Sequence, residues 1–420
     1  MICRTSHSGR HADGMPSALP SPSTSSRGVD DPLRHVPPST IDYESRHMID
    51  SRAHTSSRFR SAPRALTGGI AVLVLAAAAA CSSGTADTDD AGTQVVDLNA
   101  NPAACSENDR VDSVDRASGP FTYTDGRGRT ISLDSQPSRI IADEESAAAL
   151  MSYGIKPIAI WSTTPMSTSP ILSCSDLTGI ESVGESWGTF DFEKAASLEP
   201  DLVIGEFNPR FGQFGKLTTT ADSSKADTID QLAPTLGVTL DTTSTAKTIE
   251  NYAGLASSLG VDLDTPQLAD IKADYDAAVD NFKKVASERQ DLTGVGVWPL
   301  DVAYVLDPSA DPDFSDYESW GLKMYTPDGT DDGYWKKVSW ENVSSVDADV
   351  AFVYHDVANA ADVKLADIPS RYPGFDTIAA VDKQQMVLWD YGANKSYSRY
   401  TNTINVYADA LSKAQKVTAE

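Results

Sequence analysis

Two stretches of this chain repeat one another. Phe190–Gly205 (FDFEKAASLEPDLVIG) lines up with Val338–Val353 (VSWENVSSVDADVAFV). Phe192 matches Trp340, Glu193 matches Glu341, Ser197 matches Ser345, and Leu198 matches Val346. Acidic Glu199 matches Asp347, and Asp201 matches Asp349. Each copy reads as a short helix, a turn and a buried strand. A weaker match pairs Ser152-Tyr-Gly-Ile-Lys156 with Ser319-Trp-Gly-Leu-Lys323, where the glycine suits a helix C-cap. Two copies are too few for a solenoid. They suit two similar lobes.

The segments around the repeats alternate between strand and helix patterns. Phe121–Thr124 and Thr130–Leu133 flank Asp125-Gly126-Arg127-Gly128 and read as a hairpin. Strands are expected at 139–142, 157–161, 294–298, 302–306 and 385–389, and helices at 144–153 and 398–414. Between the repeats, Pro266 opens a stripe of Leu268, Ile271, Tyr275, Ala278, Phe282 and Val285 at spacings of three and four. That is one amphipathic helix of about 25 residues, roughly 35–40 Å long. The fold class is therefore α/β: two similar lobes with largely parallel central sheets, joined by one long rigid helix. The expected boundaries are an N-terminal lobe at 121–263, the interlobe helix at 264–290 and a C-terminal lobe at 291–420.

The N-terminus sets the compartment. Ile70–Ala80 is an unbroken apolar run, preceded by Arg58, Arg60 and Arg64 and ended by Cys81-Ser-Ser-Gly84. A basic region, a short apolar stretch and small residues at the cut site describe a secretory signal, too short to span a bilayer. With Cys at the cleavage point, Ala78–Cys81 resembles the lipobox of a bacterial lipoprotein, although Ala78 stands where Leu is usual. The resemblance implies lipidation of Cys81 and an extracytoplasmic protein anchored on the outer face of the bacterial cytoplasmic membrane. Residues 1–47 are rich in Ser, Pro, Arg and His and read as a disordered or non-native extension. Met48 is the expected start, 48–80 the signal peptide, and 81–120, rich in Ala, Thr, Asp and Ser, a flexible tether.

Charge excludes one class of partner. The net charge is −26, and the segment before Cys81 is net basic, so the remainder is more acidic still. Nucleic-acid binding needs the opposite sign. After Cys81 the chain keeps one histidine, His355, and two cysteines, Cys105 and Cys174. In an oxidising compartment those two either pair or stay separate thiols; their spacing carries no signature. Such a set makes no usual zinc site. Asp307, Asp311, Asp313 and Asp316 invite a calcium reading, but they lack the glycine of an EF-hand loop and read as a solvated acidic loop. Gly184-Glu-Ser-Trp-Gly188 matches the nucleophile elbow of serine hydrolases, with His355 as the one base left for Ser186.

The order of parts resembles the helical-backbone class of ABC substrate-binding proteins, the ferric-siderophore, haem and cobalamin binders. Thr124–Leu133 resembles that family's opening hairpin. Pro137–Ile141 with Gly154–Ile158 resembles its first strand–helix–strand, and Val183-Gly184 through Leu198–Ile204 its most recognisable segment. The resemblance implies a monomeric binding protein without catalysis, cofactor or resident metal. It also implies an iron chelate as ligand, haem or cobalamin as the alternative ligands, and an ABC permease with its ATPase as partners. Glu193 and Glu341 fall where that family carries one permease-docking glutamate per lobe.

A cleft follows from the strand pattern, since ligands of α/β sheets bind beyond the carboxyl ends of strands. Those ends bring Glu145, Trp161, Glu206, Phe207, Trp298, Tyr354, His355, Trp389 and Tyr391 forward as ligand-binding candidates. Trp187, Arg210 and Tyr304 join them from adjoining loops and strands, and Arg210 and Arg399 suit an anionic chelate. So many aromatics suit a bulky, partly apolar ligand.

Overall fold

The computed structural model describes residues 96–111, 113–217, 228–354, 364–390 and 394–418. The signal segment, Met48 and Cys81 lie outside the described residues, as do His355 and Tyr391.

The chain opens with the hairpin β1 (Phe121–Thr124) and β2 (Thr130–Leu133), paired in antiparallel register from Phe121↔Leu133 to Thr124↔Thr130. Asp125 fixes its turn by accepting from the Arg127 and Arg129 amides, both at 2.9 Å. The N-lobe sheet then takes β3 (Ile140–Asp143), β4 (Ala159–Ser162), β5 (Glu181–Glu185), β6 (Leu202–Asn208), β7 (Gln213–Phe214) and β8 (Thr235–Thr239). Its order is β5-β4-β3-β6-β7 with β8 also on β6, and every pairing except β6–β7 is parallel. The C-lobe sheet takes β9 (Thr293–Pro299), β10 (Ala303–Leu306), β11 (Lys323–Met324), β12 (Trp335–Val338), β13 (Val350–Tyr354) and β14 (Met386–Trp389). Here β9 pairs in parallel with β11 and β13, and β13 with β14. A hairpin makes β9–β10 antiparallel, and β10–β12 follows suit. The longer helices are α1 (Glu144–Met151), α2 (Phe192–Ser197), α3 (Thr245–Ser258), α4 (Pro266–Glu288), α5 (Pro312–Ser319) and α6 (Tyr397–Lys413).

The repeat has a physical purpose in each lobe. Asp201 accepts from the Ser138 amide at 2.7 Å and the Arg139 amide at 2.9 Å, while its own amide donates to the Arg139 carbonyl. Asp349 accepts from the Thr293 amide at 2.9 Å, and its amide donates to the Thr293 carbonyl. In both lobes the repeat aspartate therefore clamps the start of the central strand next door, β3 or β9. The weaker match holds as well. Ile155 donates to the Leu150 carbonyl and Leu322 to the Tyr317 carbonyl, across Gly154 (φ 75°) and Gly321 (φ 104°). That left-handed step closes α1 and α5 in the same way. The copies part at the helix. The first forms α2, capped by Asp191 at the Lys194 amide, whereas the second keeps only a 3-10 turn at Val343–Ser345.

Period-two alternation puts Ile140 and Ala142 on one face of β3 and Ile141 on the other. On the inner side a single apolar core runs from Ile140 and Leu202 through Phe282 of α4 and Tyr407 of α6 to Phe352. Separate clusters cover the outer faces, around Val203 and Phe214 in one lobe and Val353 and Phe375 in the other. The expected stripe of α4 is buried as spaced: Leu268, Ile271, Tyr275, Ala278, Phe282 and Val285. Its chief neighbour is α6.

Two expectations need correction. Residues from 96 on are not a free tether. Arg399 donates to the Ala103 and Ala104 carbonyls, Asn402 to the Pro102 carbonyl at 2.8 Å, and Cys105 is disulfide-bonded to Cys174. Nor are Asp311, Asp313 and Asp316 solvated. All three are buried, because α5 turns its acidic first turns toward α3 and α6.

Candidate functional site

The parallel strands of both lobes end toward one another, and Lys395 and Arg210 reach across the gap. Lys395, in the loop after β14, stands 3.2 Å from Glu206 of β6. Arg210, after β6, donates to the Ala310 carbonyl at 3.1 Å and lies 5.7 Å from the centre of the Tyr334 ring.

The N-lobe side of this cleft is ionic. Asp143 ends β3 and caps α1, accepting from the Ser146 amide at 2.9 Å and the Glu206 amide at 2.8 Å. Glu145, one helical position into that turn, forms an ion pair with Lys216. Burial, then the nearby Glu145 and Glu206 carboxylates, push the Asp143 carboxyl up to about 8. Burial also opposes charge on Glu145, but Lys216 and Lys395 outweigh it and hold that carboxyl below its usual range. Lys395 is the mirror case: burial disfavours its charge, and Glu206 with Glu145 more than restore it. Between Asp143, Glu145, Lys216 and Ser186 lies a pocket of about 10 Å³, room for about one water. Glu144 on its wall is satisfied by the Thr163 amide at 2.9 Å and by the Thr163 and Ser169 hydroxyls at 2.6 and 2.7 Å.

The C-lobe side is aromatic. Trp298 at the end of β9 meets the rings of Tyr354 (4.6 Å between centres), Trp335 (5.9 Å) and Tyr304 (6.0 Å). Tyr334 continues the wall, 5.2 Å from Trp335, and its hydroxyl donates to Asp311. Trp298, Tyr304, Tyr334 and Tyr354 are half-buried, so each keeps an edge open. Behind them Asp313 accepts from the hydroxyls of Tyr400 (2.7 Å) and Thr245, and Asp316 accepts from the Ala246 amide at 2.8 Å. Those bonds fasten α5 to the first turn of α3. Burial, then Asp313, raises Asp311 to about 7.

The structure sorts the sequence candidates. Glu145, Glu206, Phe207, Arg210, Trp298, Tyr304 and Tyr354 stand at the cleft, with half-buried Trp187 beside Lys216 at 5.9 Å. Trp161 is largely buried but lines the small pocket: its indole N–H donates to the Gly215 carbonyl at 2.8 Å, and its ring packs on Phe190 and Phe214. Trp389 is 1% exposed, edge-on to Phe314 at 4.7 Å. Arg399 is 3% exposed and holds the 103–104 carbonyls, 3.9 Å from Asp390, so it is not a cleft cation. A strand-end position thus does not separate a residue facing the cleft from one facing α5. Sequence reasoning missed Lys216, Lys395 and Tyr334, for which no local pattern exists; their partners are far away in the chain. Ser186 is engaged in a turn, where its hydroxyl donates to Thr189 Oγ1 at 3.2 Å. Glu193, in the first turn of α2, and Glu341, in the turn before Val343, are both exposed. Among the described residues, no helix is long and apolar enough to cross a membrane.

Two α/β lobes on a single helical spine, with a polar and aromatic cleft between strand ends, define a two-lobed binding protein. The sequence pattern of the periplasmic binding protein family matches residues 180–391, and the chain belongs to that family. No curated protein matches it. Its fold is similar to that of DesE, a ferric-siderophore receptor protein from Streptomyces coelicolor. That match has 24% identity and a TM-score of 0.60, covering 71% of this chain and 99% of the other. The petrobactin-binding protein YclQ of Bacillus subtilis shares 17% identity at a TM-score of 0.51, covering 70% and 98%. A siderophore periplasmic binding protein from the fuscachelin gene cluster of Thermobifida fusca shares 18% at 0.50, covering 66% and 96%.

Proposed function

We propose that this chain captures a ferric siderophore or similar iron chelate between its lobes and hands it to the permease of an ABC importer. The carrying observation is the pairing of an aromatic wall, Trp298–Tyr304–Tyr354, with the ionic floor of Glu145, Lys216, Glu206 and Lys395. A bulky chelate with an apolar shell and polar edges needs both. The similar folds are those of proteins named for siderophores, which agrees with this reading. The protein is a carrier rather than an enzyme on this view, in keeping with a family of binding proteins. Lipidation of Cys81 holds it at the outer face of the membrane, and exposed Glu193 and Glu341 offer one carboxylate per lobe to arginines of a two-fold permease.

Titration of intrinsic tryptophan fluorescence with ferric siderophores, haemin and cobalamin tests the reading. Submicromolar quenching by at least one ferric siderophore is expected, with haemin and cobalamin silent. Response to haemin or cobalamin alone would reassign the ligand. For the anchor, Cys81→Ser should release the protein into the medium, and unchanged membrane retention would remove the lipid.

A further inference from the structure

The cleft's cations are already committed. Lys216 is paired with Glu145, and Lys395 with Glu206, both carboxylates lying on the N-lobe side at strand ends. Arg210 is held by the Ala310 carbonyl and the face of Tyr334, whose hydroxyl donates to Asp311. On the aromatic wall, the Lys337 ammonium sits 5.5 Å over the Tyr304 ring, and that same ring has the Asp301 and Asp332 carboxylates as neighbours. Among the described residues of the two faces, the carboxylates of Glu145, Glu206, Asp301 and Asp332 match Lys216, Lys395, Arg210 and Lys337 in number, so the cleft offers an anion no net positive charge. Ring faces offer a negative quadrupole, which attracts cations and tolerates neutral surface. The acidic chain adds a repulsive far field for anions, with a net charge of −26.

We infer that the cleft selects a ferric chelate of zero or positive net charge, of the kind formed by three hydroxamates, and rejects polyanionic carboxylate or catecholate chelates. This rests on the chelate-binding reading above. A polyanion would have to break Lys216 from buried Glu145 or Lys395 from half-buried Glu206, leaving that carboxylate beside its own charge. A neutral or cationic complex lies on the rings of Trp298 and Tyr354 with both pairs intact. Selectivity here is set as much by what the paired carboxylates repel as by what the rings attract.

The test is direct titration with four probes: ferrioxamine B (cationic), ferrichrome (neutral), ferric enterobactin and ferric dicitrate (both polyanionic). At least one of the first two should bind ~100-fold or more tightly than either polyanion. Glu206→Gln, which leaves Lys395 with less countercharge, should narrow that ratio at least ~10-fold. Lys395→Met, which leaves Glu206 unpaired, should widen it. Glu145→Gln repeats the first change at the other pair, should either Glu206 or Lys395 prove necessary for folding. Tightest binding of a polyanion by the wild-type protein would overturn the charge rule while leaving chelate capture intact. Binding of none of the four chelates, siderophores included, would overturn the underlying reading and this inference with it.

Discussion

The two lobes share a fold and differ in the face each turns to the cleft. Both build a six-stranded sheet, both clamp a central strand with the repeat aspartate, and both close a helix across a left-handed glycine. Beyond the strand ends the likeness stops. The N-lobe presents Asp143, Glu145 and Glu206 with lysines against them, while the C-lobe presents a run of rings with its carboxylates sunk behind. Duplicated architecture thus fixes where the cleft lies, and side chains at the strand ends that the duplication does not constrain fix its chemistry.

Four outcomes would break or sharpen that comparison. The largest concerns the feature the copies keep outside the cleft. Glu193→Ala combined with Glu341→Ala should abolish uptake while leaving chelate affinity nearly unchanged, and each single change should cause a partial defect. Normal transport by the double variant would leave Glu193 as a dipole-stabilising residue of α2 and Glu341 as a surface carboxylate.

Next come two of the C-lobe tryptophans, Trp389 in the core and Trp298 at the cleft. Trp389→Ala should destabilise the fold by about 3–5 kcal/mol, read by urea denaturation, because it empties a site packed by Phe314, Trp335 and Tyr354. Chelate affinity of the folded fraction should hold. Trp298→Ala should do the reverse, keeping stability closer to wild type and weakening the chelate by about 1–3 kcal/mol. Equal effects on both properties from both variants would erase the distinction between core and cleft.

The clamps compare the lobes directly. Asp349 is fully buried and also accepts from the Val417 and Thr418 amides at 2.8 and 2.9 Å, with Lys416 at 3.0 Å. Asp201 is half-buried and accepts only from the Ser138 and Arg139 region. Asp349→Ala should therefore cost about 2–4 kcal/mol and Asp201→Ala about 1–2, since each orphaned buried donor adds its desolvation cost. Equal losses in thermal melts would show that the extra bonds to the C-terminal segment contribute nothing.

The smallest effect is a change of slope. Asp143 in one lobe (about 8) and Asp311 in the other (about 7) titrate above their unfolded value of 3.8. The folded protein then keeps protons that the unfolded chain releases, so stability falls as pH rises from about 4 toward those values and then levels. Asp143→Asn and Asp311→Asn should each flatten melting temperature against pH across that window. Asp143→Asn should flatten it to a higher pH. An unchanged slope in both would mean that the carboxyls are ionised in the fold.

Much of the scaffold was legible before any coordinates. Leu268 through Val285 mark α4 because burial at every third or fourth residue is a local consequence of helical geometry. The repeat marks the lobes because the strand clamp needs an aspartate at one fixed place before a buried strand. Trp389 shows the limit of such patterns: they locate a strand end, but side-chain direction there depends on which helix covers it. The acidic run at Asp311–Asp316 looked solvated since charge usually is, and only the arrival of Thr245, Tyr334 and Tyr400 makes its burial affordable.

The sequence by itself determined two α/β lobes, their spine, the acidic surface and the repeat glutamates, all features written in spacing and composition. Tertiary structure alone decided the ion pairs. Lys395 meets Glu206, and Lys216 meets Glu145, because β6, which carries Glu206, and the first turn of α1, which carries Glu145 just past the end of β3, come together at one cleft. No periodicity encodes such a meeting, since an ion pair depends on distance in space, and chain separation says nothing about it once the chain has folded.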